Sequence, residues 1–270
     1  MNKKLLYTLP FIGLLVQALR RDTAIRKYIL KDKRIQKNFR ALLLSDFHSS
    51  FYGDGQKKLT SLIDRLNPEI LFFAGDIFDD KKAHKNSWIL FEKLSQKYRC
   101  FFVTGNHEYW SMDCPYILKR LKDMGVEVLE NEYKDYKGVR IFGINDPAAY
   151  SEDINTTDTW RQILSDLNKD CDEAHYNLLL THRPENIKEY SETNMDTVLS
   201  GHAHGGQLIF PFINRSLWAP NQGWFPKYTS GIFRFKNFKL IISRGLCRNI
   251  FPRIFNRPEI IVLDFKKDEI

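Results

Sequence analysis

Residues 41–44, 70–74 and 101–103 are short apolar runs, each followed closely by polar groups: Ser45-Asp46-Phe47-His48, Gly75-Asp76-Ile77-Phe78-Asp79 and Gly105-Asn106-His107-Glu108. Asp46, Asp76 and Asn106 fall at intervals of 30 residues. An apolar run this short suits a strand buried on both faces, and such strands belong to parallel sheets covered by helices. The intervals carry helical spacing at 59–66, stopped by Asn67-Pro68, and at 88–94; another helix is expected at 116–124. Each interval is one βα unit, so the polar groups recur at one place in successive units. The fold class expected is α/β, with polar groups gathered beyond the carboxyl ends of the strands.

Further strands are expected at 139–143, 177–180 and 197–199, with a helix at 159–167. Those at 232–235, 239–243 and 259–265 alternate as antiparallel sheet does. Residues 28–35 read as the end of one strand, a Lys31-Asp32-Lys33 turn and the start of another. A four-layer α-β-β-α sandwich with two mixed sheets accommodates this order. At 270 residues it fits one large domain, 23–270, behind an amino-terminal segment, 1–22.

The later strands also end on metal-competent groups. His182 follows 177–180, and His202 and His204 follow 197–199 within Gly201-His202-Ala203-His204-Gly205-Gly206. With Asp46, His48, Asp76 and Asn106 they make seven oxygen or nitrogen donors and no thiolate. Carboxylate with imidazole suits Mn²⁺, Fe or Zn²⁺, with Mn²⁺ preferred here. Seven donors exceed the needs of one tetrahedral ion and suit two divalent ions sharing a bridging carboxylate. Cys100, Cys114, Cys171 and Cys247 are dispersed without a CxxC and read as reduced thiols, mostly buried. His84 and His175 match no block and are expected at the surface.

Asp46-x-His48, Gly75-Asp76-x-x-Asp79, Gly105-Asn106-His107-Glu108, His182 and Gly201-His202-x-His204 together resemble the signature of the calcineurin-like metallophosphoesterases, in order across residues 41–207. Ser243-Arg244-Gly245-Leu246 and Arg257-Pro258-Glu259-Ile260 are similar to the endings of a branch of small bacterial members with amino-terminal membrane segments. That branch includes enzymes cleaving the pyrophosphate of UDP-diacylglucosamine. The resemblance implies that Asp46, His48 and His204 bind one ion, that Asn106, His182 and His202 bind the second, and that Asp76 bridges. It implies a hydroxide between the ions as nucleophile, His107 as the acid that protonates the leaving oxygen, and Asp79 as the group orienting His107. Where many members carry Arg after the second Asp of the Gly-Asp block, this chain has Asp80. Arg183, or a base further along, is expected to take over from that arginine.

The net charge of +8 is unevenly placed: residues 1–40 hold eleven Lys/Arg against two Asp, and the remainder holds 30 bases against 31 acids. A nearly neutral body lacks the basic footprint of a nucleic-acid binder, so a soluble nucleotide or nucleic-acid phosphodiesterase is the alternative activity. A metal-free scaffold on the same fold would have lost ligands, and none is lost. Residues 5–19 are mostly apolar but shorter than the ~20 residues of a spanning helix. Flanked by Arg20, Arg21, Arg26 and Lys27, residues 1–22 are expected to associate peripherally with the cytoplasmic face of a membrane; packing on the domain is the other reading. From Thr197 to Pro258 there are nine bases and no Asp or Glu. The same stretch holds Phe210, Phe212, Trp218, Trp224 and Phe225, which read either as core or as a loop dipping into the membrane interface. The substrate expected is a phosphate ester, lipid-linked if the loop reaches the membrane.

Overall fold

A computed structural model describes residues 13–150, 158–210, 215–248 and 253–269. The first helix, α1, covers residues 13–18. The first sheet contains β1 (Ala24–Asp32), β2 (Phe39–Leu44), β3 (Ile70–Ala74), β4 (Arg99–Val103) and the short β5 (Glu127–Val128). β2 to β5 are parallel neighbours in chain order. The last strand, β16 (Glu259–Lys267), inserts between β1 and β2.

The second sheet contains β6 (Glu132–Tyr136), β7 (Val139–Gly143), β8 (Tyr176–Leu180), β9 (Thr197–Ser200), β14 (Gly231–Arg234) and β15 (Lys239–Ile242), in the order β14-β15-β9-β8-β7-β6. Between β9 and β14 lie two small hairpins, β10 (Ile209–Phe210) with β11 (Arg215–Ser216), and β12 (Trp218–Ala219) with β13 (Gly223–Trp224).

The strand composition explains the layering. Every residue of β3 is buried. Leu71 and Phe73 face outward against Leu59 and Ile63 of α2 (Lys57–Leu66) and Phe91 of α3 (Lys85–Leu94). Ile70 and Phe72 face inward and meet Ile141 and Leu178 of the second sheet. Trp160, Leu164 and Leu167 of α6 (Asp158–Asn168) cover the far face of that sheet. Each large apolar side chain so buried contributes roughly 1.5–3 kcal/mol. Two short helices, α4 (Asn106–Trp110) and α7 (Ile187–Ser191), and a longer one, α5 (Cys114–Asp123), complete the α-β-β-α sandwich.

Two local expectations differ from the structure. Residues 33–35 form no second strand, because Asp32 Oδ1 accepts from both the backbone and the guanidinium of Arg34 and closes a turn. The carboxyl-terminal strands are not simply antiparallel. β16 runs antiparallel to β2 but parallel to β1, and β15 runs antiparallel to β14 but parallel to β9, because each fills a place beside a strand already set.

The domain's first strand starts at Ala24. In α1, Leu14, Leu15 and Val16 are exposed and Ala18 is buried, its carbonyl accepting from Phe255 N–H at 2.8 Å. Residues 5–12 of the apolar segment, and Phe212, lie outside the described residues. Among the described residues no helix is long and apolar enough to cross a membrane.

Candidate metal centre

β2, β3, β8 and β9 each end two residues before Asp46, Asp76, His182 and His202, and β4 ends three before Asn106. The carboxyl ends of both sheets therefore deliver their polar groups to one seam. Asp46, His48, Asp76 and His204 each bring a donor atom within 4.8 Å of the others, and Asp76, His182 and His202 do the same. Asp76 belongs to both groups. His48 Nε2 lies 3.2 Å from His204 Nε2, and His202 Nδ1 lies 3.1 Å from His182 Nε2. Asp76 Oδ2 stands 3.1 Å from His182 Nε2 and 3.7 Å from His48 Nε2.

Asp46 Oδ2, Asp76 Oδ2 and Asn106 Oδ1 are buried without a hydrogen-bond partner. Buried polar atoms nearly always have one, so three orphans at one seam need an explanation. Divalent cations would supply it: the donor set is carboxylate, imidazole and amide oxygen, and Asp76 belongs to both donor groups. Asp46, His48 and His204 with Asp76 fit one cation, here called metal one. His182 and His202 with Asp76 fit the other, metal two, and Asn106, whose neighbour His107 donates its N–H to Asp76 Oδ1 at 2.9 Å, lies alongside.

Electrostatics divide the donors into carboxylates and rings that share protons and rings that are held neutral. Burial opposes charge on Asp76, but His182 and His107 beside it outweigh that and hold its carboxyl well below the usual range. Burial, reinforced by the charge of His182, holds His202 well below the ordinary imidazole range, and burial with His48 does the same to His204. Those two rings are neutral, with lone pairs to offer. His182 Nδ1 faces the Ala74 carbonyl at 2.7 Å and donates to it; burial opposes charge on this ring, but Asp76 outweighs it and pushes His182 up to about 10, so metal two would take the place of the proton on Nε2.

The backbone is strained where the donors sit. Asp46, His48, Asp76, His202 and His204 all have positive φ, between 47° and 67°. Each such residue costs roughly 1–3 kcal/mol and persists only where its surroundings over-determine it. Glu108 supplies part of that. Its fully buried carboxylate accepts from the N–H groups of Asp76 (2.9 Å), Ile77 (2.8 Å), Phe78 (2.9 Å) and Gly105 (2.7 Å). Gly75 supplies another part: at φ +76°, a Cβ there would stand 2.6 Å from both Gly105 N and His182 Nδ1. The signal in the sequence for this role of Glu108 is its position three residues after Gly105, at the start of a helix.

Three expectations are corrected. Asp79 does not orient His107. Its Oδ1 accepts from the N–H groups of Lys81 and Lys82, and this turns its Oδ2 to 3.4 Å from His48 Nδ1 and 3.0 Å from Lys82 Nζ. Asp80 instead lies 2.7 Å from His107 Nδ1. Arg183 does not stand in for the missing arginine, because Asp146 holds its Nε and one amino nitrogen at 2.8 and 2.9 Å in the interior. Nor do Arg244 and Arg253 face an incoming anion. Arg253 donates to the carbonyls of His204, Gly245, Cys247 and Arg244, and Arg244 pairs with Glu259 at 3.7 Å. Among the described residues, Lys82 is a half-exposed cation at the edge of the centre, 3.0 Å from Asp79 Oδ2.

A thiol was also missed. Cys247 Sγ lies within 4.8 Å of ring nitrogens of both His48 and His204. His84 and His175 are half-buried rather than fully exposed; they meet the Asp79 carbonyl and the Asp172 carboxylate and take no part in the two groups.

The swap of partners between Asp79 and Asp80 is testable. Asp80→Asn is expected to lower kcat about tenfold or more with metal content intact, whereas Asp79→Asn lowers affinity for metal one by a similar factor. Equal metal loss in both variants, measured by elemental analysis, contradicts the assignment.

The profile of the calcineurin-like phosphoesterase family matches residues 39–206, the span that carries all seven oxygen and nitrogen donors. The chain belongs to this family. Among its relatives, an uncharacterized metallophosphoesterase of Campylobacter jejuni is 27% identical over 237 residues, covering 86% of this chain and 60% of that protein. The uncharacterized metallophosphoesterase YkuE of Bacillus subtilis is 26% identical over 239 residues, covering 84% and 79%. A transmembrane protein with metallophosphoesterase domain from Danio rerio is 31% identical over 184 residues, covering 63% and 41%. The chain spans less than two thirds of the first of these relatives and 48% of two from Helicobacter pylori. One solved crystal structure aligns with a TM-score of 0.50 at 14% identity, covering 77% of this chain and 91% of that one, a likeness in fold alone. The chemistry of calcineurin-like phosphoesterases is metal-dependent hydrolysis of phosphoesters, and the two donor groups are of the kind that chemistry requires.

Proposed function

We propose that this chain hydrolyses a lipid-linked phosphodiester or pyrophosphate, with two divalent cations, Mn²⁺ foremost, while held peripherally at the cytoplasmic face of a membrane. The observation that carries the reading is the sharing of Asp76 between two donor groups at one seam. Two bound cations polarise phosphoryl oxygens and make water nucleophilic at neutral pH. The residues supply the rest. His107, its Nδ1 held by Asp80, turns Nε2 towards Asp76, 3.9 Å from Oδ2, at the open side of the centre, where it gives a proton to the leaving oxygen. Lys82 meets a phosphoryl oxygen at the rim. Asp79 and the Ala74 carbonyl fix the rings of His48 and His182.

Support for a lipid comes from what surrounds the seam. Asn221, on the turn between β12 and β13, places Nδ2 3.0 Å from His202 Nε2. The strands flanking that turn expose Trp218 and Trp224, and Phe225 follows, also exposed. On the other side, the His107 ring lies 5.0 Å from that of Trp110, which is exposed beside Met112. Backbone bonds carry the hairpin surface to α1 through Leu217–Leu208, Ile209–Ile254 and Phe255–Ala18. Exposed tryptophans next to bases and an apolar helix suit a membrane interface.

The full-length protein with Mn²⁺ is expected to hydrolyse bis-(p-nitrophenyl) phosphate. No hydrolysis with Mn²⁺, Fe²⁺ or Zn²⁺ defeats the enzyme reading. On vesicles containing phosphatidylglycerol, the Trp218→Ser, Trp224→Ser double variant is expected to bind less while hydrolysing the soluble ester normally. In a panel of lipid-linked pyrophosphates against nucleotides, faster turnover of nucleotides defeats the lipid assignment and leaves the phosphoesterase in place.

A further inference from the structure

We propose that Cys247 is a ligand of metal one, which this chain then holds by a thiolate as well as by carboxylate and imidazole. The assignment rests on the two-cation reading above and goes beyond the oxygen and nitrogen donors named there.

The loop after β15 is fastened to the loop that carries Asp46 and His48. Leu246 N–H donates to the Ser45 carbonyl at 3.0 Å, Arg248 N–H to Ser50 Oγ at 3.0 Å, and Tyr52 Oη to the Leu246 carbonyl at 2.6 Å. Gly245, at φ +73°, lets this loop close on the carboxylate: a Cβ there would stand 2.5 Å from Asp46 Cβ. Cys247 is thus fixed on both sides, and it is 1% exposed. Its Sγ lies within 4.8 Å of ring nitrogens of His48 and His204, the two rings that also gather with Asp46 and Asp76. Sulfur and nitrogen ligands of a tetrahedral zinc would stand roughly 3.6 Å apart for bonds of about 2.3 and 2.05 Å, so ligation would need Sγ to close on each ring by about 1.2 Å at most. The orphaned Asp46 Oδ2 and Asp76 Oδ2 belong to the overlapping group built on the same two rings, and they are a second sign that a cation is held beside those rings.

The other cysteines are placed differently. Cys100 and Cys114 belong to the outer apolar cluster, and Cys171 Sγ lies 3.7 Å from Met195 Sδ.

Ligation replaces the S–H bond by a bond from sulfur to the metal, and the proton leaves to solvent. A soft donor shifts the preference of metal one from Mn²⁺ towards Zn²⁺ or Fe²⁺. Metal one and metal two are then chemically unlike, and a mixed pair of ions becomes the natural occupancy.

The test is Co²⁺ titration of the full-length protein under reducing conditions. The expected spectrum combines visible d–d bands with an intense near-ultraviolet thiolate-to-cobalt charge-transfer band. Cys247→Ser should lose the charge-transfer band, keep the d–d bands of the folded centre and bind Zn²⁺ at least about tenfold more weakly. Cys171→Ser should leave all three unchanged. A spectrum with d–d bands but no charge-transfer band, or a charge-transfer band that survives in Cys247→Ser, overturns the assignment while leaving the two-cation reading intact. Failure of Co²⁺ to bind at all overturns both.

Discussion

Asp76→Asn abolishes most of the hydrolysis and takes the protein from two bound ions per chain to one or none. The expected fall in kcat/KM is on the order of 10³, the scale seen when a charge-stabilising group is removed from an active site. The side chain is the only donor shared by the two groups, so its charge is counted twice. The amide keeps the shape of the carboxylate and an oxygen for the His107 N–H, so the fold survives the exchange. That separates loss of metal from loss of structure. Elemental analysis and initial rates on bis-(p-nitrophenyl) phosphate check it together. A variant that retains two ions and a rate within tenfold of wild type means that Asp76 does not bridge.

Glu108→Ala acts through the backbone instead. Its carboxylate serves four buried N–H groups on two loops, those of Asp76, Ile77, Phe78 and Gly105. Removing it leaves those donors without a partner at about 1–3 kcal/mol each, less whatever entering water restores. The expected destabilisation is about 4 kcal/mol or more, and metal affinity falls with it because Asp76 is released from its strained conformation. Glu108→Gln should lose less, since its oxygen still accepts while its amide faces N–H groups it cannot serve. Urea unfolding of the metal-free proteins measures the first effect; a change below about 1 kcal/mol in the alanine variant refutes the bracing role.

These two residues also mark what the sequence made legible. Asp76 could be read because its signal is periodic: an apolar run, a donor, then a thirty-residue interval repeated. The same period gave β3 at its observed bounds and placed three strands and three helices in the correct order. Glu108 was visible as a letter but not as a function, because three of its four partners are backbone groups some thirty residues away. The Asp79 and Asp80 pair was misread for a finer reason. Two adjacent carboxylates are alike in sequence, and the N–H groups of Lys81 and Lys82 decide which of them turns towards His48. Arg183 looked like a free cation because its partner, Asp146, is supplied by tertiary structure. Cys247 carried no motif at all; only the fastening of its loop beside Asp46 brings it to the centre.

The donors come from two different sheets. Asp46, His48, Asp76 and Asn106 leave the carboxyl ends of the first sheet, while His182, His202 and His204 leave those of the second. Each cation would therefore draw on both halves of the sandwich and act as a rivet across the gap between them. Affinity for metal and rigidity of the gap then become one thermodynamic quantity, since whatever binds the closed arrangement preferentially also stabilises it. A substitution buried deep between the sheets, far from any substrate, would be felt as a change in metal hunger, and starvation for metal would be felt as a loosening of the whole sandwich.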